Sequence, residues 1–512
     1  MERTIPRLLA GAVEAAPDKP WLFHEGASVG GSRRPDQGDT PCPPGFTYQQ
    51  AWRRVGTAAA GLADRGVGRG DLVLVPLRNT AGHLFTWLGL MHLGAVLVAA
   101  NPAAAEEEQR GLVAQTQPRL VLGDADVDGL LPAADADPPR RDGPRPEDPA
   151  VLIPTSGTTG RSKLVTQTHR AYVMAGEGFP WWMGLTADDR LMTSLPLFHI
   201  NAPAYSVLGS VAARASLVLL RRFSPGRFLD TARRYGATEF NAIGAMIEML
   251  MQQPERPDDA DTPLRLTYSG PAPPEARHRQ IEERFGLRLV CGYAMSESPY
   301  GTIWPLGSRP YGTLGAIRQH PTLERVNEGR VMRGDRPVAR GEVGELELRN
   351  PALMLGYWGM PDETARVLRP DGWLRTGDLV TENPDGTFTF VGRENEMIRR
   401  RGENLSPAEV EEALAAHPAV AEVAVVGVPS ELTEEEVKAF VVPAGPAAAD
   451  PADLHAWAAG HLTRFKVPRY IELVPELPHT PTGRVAKHRL PRDRTPSEWD
   501  AQAAGKETAG HG

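Results

Sequence analysis

The stretch AVLIPTSGTTGRSKLV, residues 150–165, carries the pattern on which the fold assignment depends. A short apolar segment is followed at once by hydroxyl residues, glycines and a lysine, Lys163. Glycines let backbone N–H groups approach a phosphate closely, hydroxyls donate further hydrogen bonds, and lysine adds positive charge. We therefore interpret the stretch as a strand followed by a phosphate-binding loop. A polar turn between a strand and a helix has a similar composition, and the G-x-x-x-x-G-K-[ST] pattern is absent.

Similar apolar segments recur on both sides of this loop. They are DLVLVPL (71–77), AVLVAA (95–100), RLMTSLPL (190–197), LRLTYSG (264–270) and LRLVCGY (287–293). Helical patterns of roughly 10–15 residues separate segments of this kind, which indicates βαβ units and parallel sheets. From Thr313 to Phe390 the pattern changes to the alternation and turn residues typical of antiparallel strands. A helix is predicted from Pro407 onward, with Ser406 as its cap.

The bulk composition excludes several classes of protein. The 512 residues are 41% hydrophobic and 23% charged with a net charge of −8, so nothing points to nucleic acid or an anionic membrane. The N-terminus lacks the apolar core of a signal peptide, and no segment reaches the roughly 18 apolar residues of a membrane span. Cys42 and Cys291 are too few for a disulfide framework or a zinc site. We expect a cytoplasmic protein without membrane insertion.

Six motifs occur in a fixed order between about residue 150 and residue 490. They are TSGTTGRSK (155–163), PLFH (196–199), GYAMSE (292–297), GWLRTGDL (372–379), the segment from Gly392-Arg393 through RGEN (401–404) to Glu411, and PTGRVAK (481–487). This order resembles the adenylate-forming family, which includes acyl-CoA synthetases, aryl-CoA ligases, peptide-synthetase adenylation domains and beetle luciferases. PLFHINAPAYSVLGS (196–210) and RRRGENLSPAEVEEAL (399–414) are most similar to bacterial carnitine/crotonobetaine-type CoA ligases.

The resemblance, together with the strand pattern, implies an α/β fold in two parts. Residues 1–392 form a large N-terminal nucleotide- and acyl-binding domain of two βα-layered subdomains plus a distorted β-barrel. Residues 393–396 form a hinge, centred on Asn395. Residues 397–512 form a small mobile α+β domain, with a flexible tail from about residue 491.

The same resemblance implies the reaction. A carboxylate attacks the α-phosphate of ATP, pyrophosphate leaves, and the acyl adenylate then reacts with the thiol of coenzyme A. Two anions must meet, so the site has to neutralise charge and align the reactants. Lys487 would bridge the carboxylate and the α-phosphate as the main catalytic residue, with Glu297 and His199 as further catalytic residues. Glu297 and Thr159 would hold Mg²⁺, which prefers oxygen ligands.

The resemblance also assigns binding residues. Asp378 would accept hydrogen bonds from both ribose hydroxyls, and Arg393 would contact ribose or phosphate. The further nucleotide-binding residues are Thr155, Ser156, Gly157, Thr158, Thr159, Lys163, Gly270, Pro271, Ala272, Cys291, Gly292, Tyr293, Ser296 and Lys487. The loop of Arg401, Gly402 and Glu403 would serve coenzyme A. Outside the motif context, Glu297 could be a carboxylate at a helix start, Asp378 a turn residue and Lys487 a solvated lysine.

The residues in the positions of the acyl pocket are mostly small or apolar. They are His199, Asn201, Ala242, Gly244, Met246, Gly270, Gly292, Ala294, Met295 and Gly301. We therefore expect a hydrophobic carboxylic acid of medium or large size. His199 could gate the pocket or be a buried structural histidine. Amino acids are disfavoured, because the relatives that activate them pair the amine with an aspartate and here Phe198 is followed by His199.

Several alternatives remain at this point. Leu164 stands where the family commonly has glycine, and Asn395 where it has aspartate or lysine. Either change could slow adenylation, which leaves a half enzyme that forms the thioester from acyl adenylate supplied by a partner enzyme. In another alternative, a separate carrier protein accepts the acyl group in place of coenzyme A. A luciferase-type oxidative enzyme and a binding module without chemistry are further candidates.

Overall fold

The computed structural model describes residues 3–25, 45–131, 143–155, 163–270, 272–400, 403–430, 435–445, 449–479 and 485–503. Residue contacts divide the chain into two compact units. Unit one comprises Met1–Gly329 and Glu347–Arg375, and unit two comprises Arg330–Leu346 and Thr376–Gly512. Within the described ranges, no helix has the length and apolar character needed to cross a membrane.

Unit one contains eleven of the α-helices that the described residues form. They are α1 (Ile5–Ala15), α2 (Tyr48–Asp64), α3 (Ala81–Leu93), α4 (Glu106–Thr116), α5 (Asp124–Gly129), α6 (His169–Met183), α7 (Leu208–Ala213), α8 (Phe228–Tyr235), α9 (Gly244–Met251), α10 (Glu275–Phe285) and α11 (Pro361–Val367). A π-helical turn, Ala202–Val207, leads directly into α7, and a 3₁₀ turn, Pro225–Arg227, precedes α8. Local sequence sets several of these ends; α2, for example, begins with a reciprocal capping box between Thr47 and Gln50.

The larger sheet of unit one has nine strands. They are β1 (Pro20–His24), β2 (Phe46–Thr47), β8 (Arg190–Thr193), β9 (Ser216–Leu219), β10 (Glu239–Asn241), β11 (Leu266–Ser269), β12 (Arg288–Met295), β13 (Ser298–Ile303) and β14 (Ala316–Ile317). Their order in the sheet is β14-β13-β12-β11-β10-β8-β9-β1-β2. The six strands from β12 to β1 in this order are parallel, and antiparallel strands continue the sheet at both edges.

The second sheet of unit one has six strands. They are β3 (Leu72–Pro76), β4 (Val96–Ala100), β5 (Leu120–Val121), β6 (Pro149–Thr155), β7 (Lys163–Thr168) and β18 (Gly356–Tyr357). Their order is β18-β7-β6-β4-β3-β5, with β7 antiparallel to both of its neighbours. The glycine-rich loop therefore joins two antiparallel strands, and α6 begins only at His169. The two βα-layered subdomains predicted from the apolar segments are confirmed.

A third sheet has the order β16-β15-β17-β19-β20, and most of its residues belong to unit two. Its strands are β15 (Glu328–Arg333), β16 (Arg336–Pro337), β17 (Val343–Arg349), β19 (Leu374–Glu382) and β20 (Phe388–Arg393). The pairs β15/β16 and β19/β20 are antiparallel, as the alternating pattern predicted. This sheet lies largely within the segment from Thr313 to Phe390, for which antiparallel strands were predicted.

The rest of unit two is a small α+β structure, as predicted. It contains the hairpin β21 (Ile398–Arg400) and β22 (Glu403–Leu405), the helices α12 (Pro407–Ala415) and α13 (Pro451–His461), the strands β23 (Val420–Pro429), β24 (Glu435–Pro443), β25 (Tyr470–Leu473) and β26 (Trp499–Asp500), and 3₁₀ turns at Glu394–Glu396 and Lys487–Arg489. Ser406 stands at the start of α12, but its hydroxyl donates to the carbonyl of Val391 and does not cap the helix. The predicted capping role of Ser406 is therefore wrong.

Candidate active site

The carboxyl ends of four neighbouring parallel strands bring the predicted acyl-pocket residues to one edge of the larger sheet. β8 leads into the segment that contains His199, β10 ends directly before Ala242, β11 ends directly before Gly270, and Ala294 lies at the end of β12. Ligands of open parallel sheets bind outside this edge, because the loops there diverge and leave a crevice. These residues are far apart in the chain, and the strand order brings them to the same edge of the sheet.

A buried asparagine that sequence reasoning missed organises part of this edge. Asn241, the last residue of β10, is 1% exposed, and its Nδ2 donates to Asn201 Oδ1 at 3.0 Å and to Ser206 Oγ at 3.1 Å. Within the described residues, its Oδ1 is buried and has no hydrogen-bond partner. An unsatisfied buried amide oxygen is costly, which marks this position as a place where a ligand or a water molecule completes the bonding. The signal in the sequence was a lone polar residue directly before Ala242.

The predicted pocket glycines are required mainly by the close approach of neighbouring strands. A Cβ atom on Gly270 would lie 2.4 Å from the carbonyl oxygen of Gly292, and one on Gly301 would lie 2.2 Å from that of Tyr293. A Cβ on Gly244, in contrast, would meet no atom within 4 Å. Of these glycines, Gly244 is therefore the one beside open space.

The lysine that follows the glycine-rich loop belongs to a chain of contacts with the predicted magnesium ligand. Lys163 Nζ lies 2.8 Å from Glu363 Oε2 and 5.0 Å from the ring centre of Tyr357. The hydroxyl of Tyr357 donates to Glu297 Oε1 at 2.9 Å. Glu363 also pairs with Arg366. The buried Tyr357 thus touches both the phosphate-loop cation and the Glu297 carboxylate, and it fixes their relative position.

Replacing Tyr357 by Phe tests this positioning role. We expect the affinity for Mg²⁺·ATP to fall about tenfold, because a hydrogen bond to a charged group contributes about 1.5 kcal/mol or more. Equilibrium titration calorimetry with Mg²⁺·ATP measures this directly, and kinetics would show the same change in the KM for ATP. Tyr172→Phe, at a fully buried tyrosine of α6, is the matched control. Unchanged Mg²⁺·ATP affinity in Tyr357→Phe would contradict the role.

Unit two holds the predicted nucleotide residues Asp378, Arg393 and Lys487, and each of the three forms an ion pair within that unit. Asp378 is 3% exposed, and its Oδ1 lies 3.2 Å from Arg393 Nε across the pairing of β19 with β20. The ammonium of Lys487 lies 2.7 Å from Glu411 Oε1 and 3.4 Å from Glu396 Oε2. In this arrangement Lys487 is neutralised by protein carboxylates, so anionic substrates must replace those partners before it can act on them.

The remaining predicted residues have simpler surroundings. Thr155 donates its hydroxyl to the carbonyl of Lys163 at 3.2 Å, and Gln167, which was not predicted, donates to the carbonyl of Ser296 at 2.6 Å. The Cys291 thiol is fully buried, and burial raises its pKa, so it stays protonated. Predicted residues that lie outside the described part of the chain are Ser156, Gly157, Thr158, Thr159, Pro271, Arg401 and Gly402, together with the side chains of Asn395 and Glu403.

Leu164, one of the two departures that raised the half-enzyme alternative, is an interior residue of β7. It pairs with Pro154 in the ladder, is fully buried, and packs with Leu74, Val98 and Leu152 in the core of the second sheet. An extended strand accepts leucine without backbone strain. Its presence is therefore explained by packing and gives no reason to expect slow adenylation.

The donor set suits magnesium bound together with a nucleotide. Within the described ranges, no group of three or more His, Cys, Asp or Glu side chains could hold a metal by itself. Mg²⁺ is commonly bound through one or two carboxylates plus substrate phosphates, so one carboxylate near a phosphate loop is sufficient. Glu297, 9% exposed and hydrogen-bonded by Tyr357, is a carboxylate that fits this requirement, and it lies at the turn between β12 and β13.

Comparison with known proteins agrees with this reading. The AMP-binding enzyme family matches residues 43–358, and the AMP-binding enzyme C-terminal domain matches residues 409–484. Sulfoacetate–CoA ligase of Cupriavidus necator is 33% identical over 95% of this chain and 97% of its own length. Crotonobetaine/carnitine–CoA ligase of Salmonella agona is 31% identical over 87% of this chain and 93% of its own. The crystal structure of ATP-bound MatB from Rhodopseudomonas palustris has a TM-score of 0.83 at 26% identity and covers 95% of this chain and 98% of that one.

The two sheets, the strand-edge site and the C-terminal α+β structure define an ATP-using enzyme of the adenylate-forming type, and the chain belongs to the AMP-binding enzyme family. Within that family it is an AMP-forming acid–CoA ligase that uses ATP, Mg²⁺ and coenzyme A. The predicted family, fold class and reaction type are confirmed.

Proposed function

We propose that the named residues carry a complete two-step ligase reaction on a small charged carboxylic acid. The contact chain from Lys163 through Tyr357 to Glu297 is the observation that supports the first step, because it joins a carboxylate to the lysine that follows the glycine-rich loop in sequence. The acids named in the two curated relatives, sulfoacetate and crotonobetaine or carnitine, each carry a charged group besides the carboxylate. This supports a small charged acid over the hydrophobic acid expected from the pocket glycines.

In the first step, each residue has one task. Lys163 exchanges Glu363 for the phosphates of ATP, and Asp378 accepts the ribose hydroxyls. Bound Mg²⁺ would supply charge neutralisation on the phosphates, with Glu297 as its protein ligand. Lys487 leaves Glu411 and bridges the attacking carboxylate and the α-phosphate, where its positive charge offsets the negative charge of both reactants.

In the second step, the thiol of coenzyme A attacks the acyl carbon and AMP leaves. We assign the loop of Arg401, Gly402 and Glu403 to this step and Asn395 to the hinge between the two arrangements of the C-terminal domain. The boundary after Gly392 and the mobility of residues 397–512 belong to the same proposal. A carrier protein in place of coenzyme A remains the alternative acceptor.

Separate assays of the half-reactions test the proposal. With an acid that the enzyme accepts as substrate, together with ATP, Mg²⁺ and coenzyme A, we expect AMP, pyrophosphate and acyl-CoA to form in equal amounts. With pre-formed acyl adenylate and coenzyme A, we expect acyl-CoA without ATP. Thioester formed only from the pre-formed adenylate would establish the half enzyme instead. Adenylate that forms but transfers only to a carrier protein would establish the other alternative.

A further inference from the structure

A buried arginine is surrounded by aromatic rings between the larger sheet and the helices that cover it. Arg318, which follows β14, is 1% exposed. Its Cζ lies 4.7 Å from the ring centre of Trp182 and 5.3 Å from those of Tyr205 and Tyr268. We call Arg318, Tyr205, Tyr268 and Trp182 the arginine–tyrosine cluster. All four members lie in unit one.

The hydrogen bonds of the cluster leave donors unused. Arg318 donates from Nε to the carbonyl of Thr302 at 2.7 Å, from Nη1 to the Tyr205 hydroxyl at 2.9 Å, and from Nη2 to the Tyr268 hydroxyl. A guanidinium has five N–H groups, so two have no acceptor within the described residues. The Tyr205 hydroxyl donates its own hydrogen bond to the carbonyl of Pro299 at 2.7 Å. The Tyr268 hydroxyl donates to no acceptor among the residues that the structure describes.

The positive charge of Arg318 has no carboxylate partner among the described residues. Burial acts to lower the pKa of Arg318, but the nearby phenols raise it by a larger amount, so the group stays charged. A buried charge without an opposite charge costs several kcal/mol, and stacking on aromatic rings offsets only part of that cost. An anion that enters this position would complete the charge balance.

The cluster borders the strand-edge site. Tyr268 is the residue before Ser269 at the carboxyl end of β11, and Tyr205 lies in the π-helical turn shortly after His199. The backbone N–H of Arg318 donates to the carbonyl of Gly301 at 2.9 Å, and a Cβ atom on Gly292 would lie 2.8 Å from Arg318 Nη2. Gly292 and Gly301 are both predicted acyl-pocket residues, so Arg318 lies next to the predicted wall of that pocket.

We infer that the arginine–tyrosine cluster forms the base of the acyl pocket and selects short carboxylic acids that carry a second anionic group. The carboxylate that reacts stays at the nucleotide end, and the second anion accepts hydrogen bonds from Arg318 and Tyr268. Guanidinium groups bind carboxylate-type oxygens strongly because the geometry and charge match. The inference rests on the proposed acyl site, since it needs Gly292 and Gly301 to line the pocket.

Matched pairs of acids test the selection. Malonate and propanoate differ by a carboxylate in place of a methyl group, and succinate and butanoate differ in the same way. For the wild-type enzyme, kcat/KM is measured as pyrophosphate release with coenzyme A present. In the pair whose length suits the pocket, we expect kcat/KM to be at least about 100-fold higher for the dianion than for its methyl-ended partner. Arg318→Met should reduce this preference to about one, and Arg318→Lys should restore part of it. Preference for the methyl-ended acids in the wild type would overturn the inference.

Two further variants separate selection from stability. Arg284→Met removes another largely buried arginine of unit one, one paired with Asp259, and should leave the preference unchanged. Tyr268→Phe keeps the charge of Arg318 and should weaken the dianion preference by about tenfold. If Arg318→Met does not fold, the Tyr268→Phe result decides, and an unchanged preference there overturns the inference. Hexanoate and benzoate complete the panel of acids. Activity with these two apolar acids only would refute the inference and leave the ligase reaction intact. Pyrophosphate release with none of the acids would count against both the inference and the proposed function.

Discussion

Replacing Lys487 by Ala is expected to abolish adenylation while the enzyme still binds nucleotide. Loss of one preorganised charge that stabilises a transition state costs about 10³-fold in rate, and the charge of Lys487 would act on both the carboxylate and the α-phosphate. The second half-reaction has no need of that bridge. Thioester formation from pre-formed acyl adenylate should therefore proceed at nearly the wild-type rate.

The measurement for Lys487→Ala is exchange of labelled pyrophosphate into ATP in the presence of the acid, together with ATP binding by calorimetry. Lys466→Ala is the matched control, because Lys466 also lies in unit two and pairs with a carboxylate, Glu409. Wild-type exchange in Lys487→Ala would remove the lysine from the mechanism. Loss of both half-reactions would show that the substitution damages the unit as a whole.

Replacing Glu297 by Gln is expected to give the second large effect. The amide keeps the shape and can still accept the hydrogen bond from Tyr357, but it loses the charge that makes Glu297 a magnesium ligand. We expect adenylation to fall about 10²-fold at fixed Mg²⁺ and the Mg²⁺ concentration needed for half-maximal rate to rise, since one protein ligand is lost.

A magnesium titration of the adenylation rate, with Mg²⁺·ATP binding by calorimetry, checks the Glu297 prediction. Glu248→Gln is the control, because Glu248 is a partly exposed carboxylate of unit one that pairs with Arg277. An unchanged magnesium requirement would show that the metal is held elsewhere. If the adenylation rate falls but the Mg²⁺ concentration needed for half-maximal rate stays the same, Glu297 acts through Tyr357 and Lys163 and does not bind the ion.

Sequence patterns were sufficient for the parts of the fold that depend on local order. The apolar segments at 71–77, 95–100 and 264–270 form strands, and α12 begins at Pro407, because apolar periodicity and the preference of proline for the first helical position act over a few residues. The strand after the glycine-rich loop was less evident. Lys163 begins an antiparallel strand, so no helix N-terminus follows the loop at once, and Leu164 is a core residue.

The long-range contacts on which the proposals rest could not be predicted from short sequence patterns. Tyr357 lies 60 positions after Glu297, and Arg318 lies 113 positions after Tyr205. Only the sheet order and the packing of the helices bring such pairs together, and no short motif records them. The glycines at 270 and 292 are explained by close approach, because strand neighbours and Arg318 occupy the space that a side chain would take. They do not by themselves indicate the size of the acyl pocket.

Attack of the carboxylate on the α-phosphorus of ATP is the central claim, and an oxygen label tests it most directly. The acid is prepared with ¹⁸O in both carboxylate oxygens and is incubated with the enzyme, ATP, Mg²⁺ and coenzyme A. One carboxylate oxygen becomes the bridge to phosphorus and leaves with AMP when the thiol attacks the acyl carbon. Mass spectrometry should therefore find one ¹⁸O in each AMP formed and none in pyrophosphate. Unlabelled AMP, or label in inorganic phosphate with ADP as the product, would contradict the account.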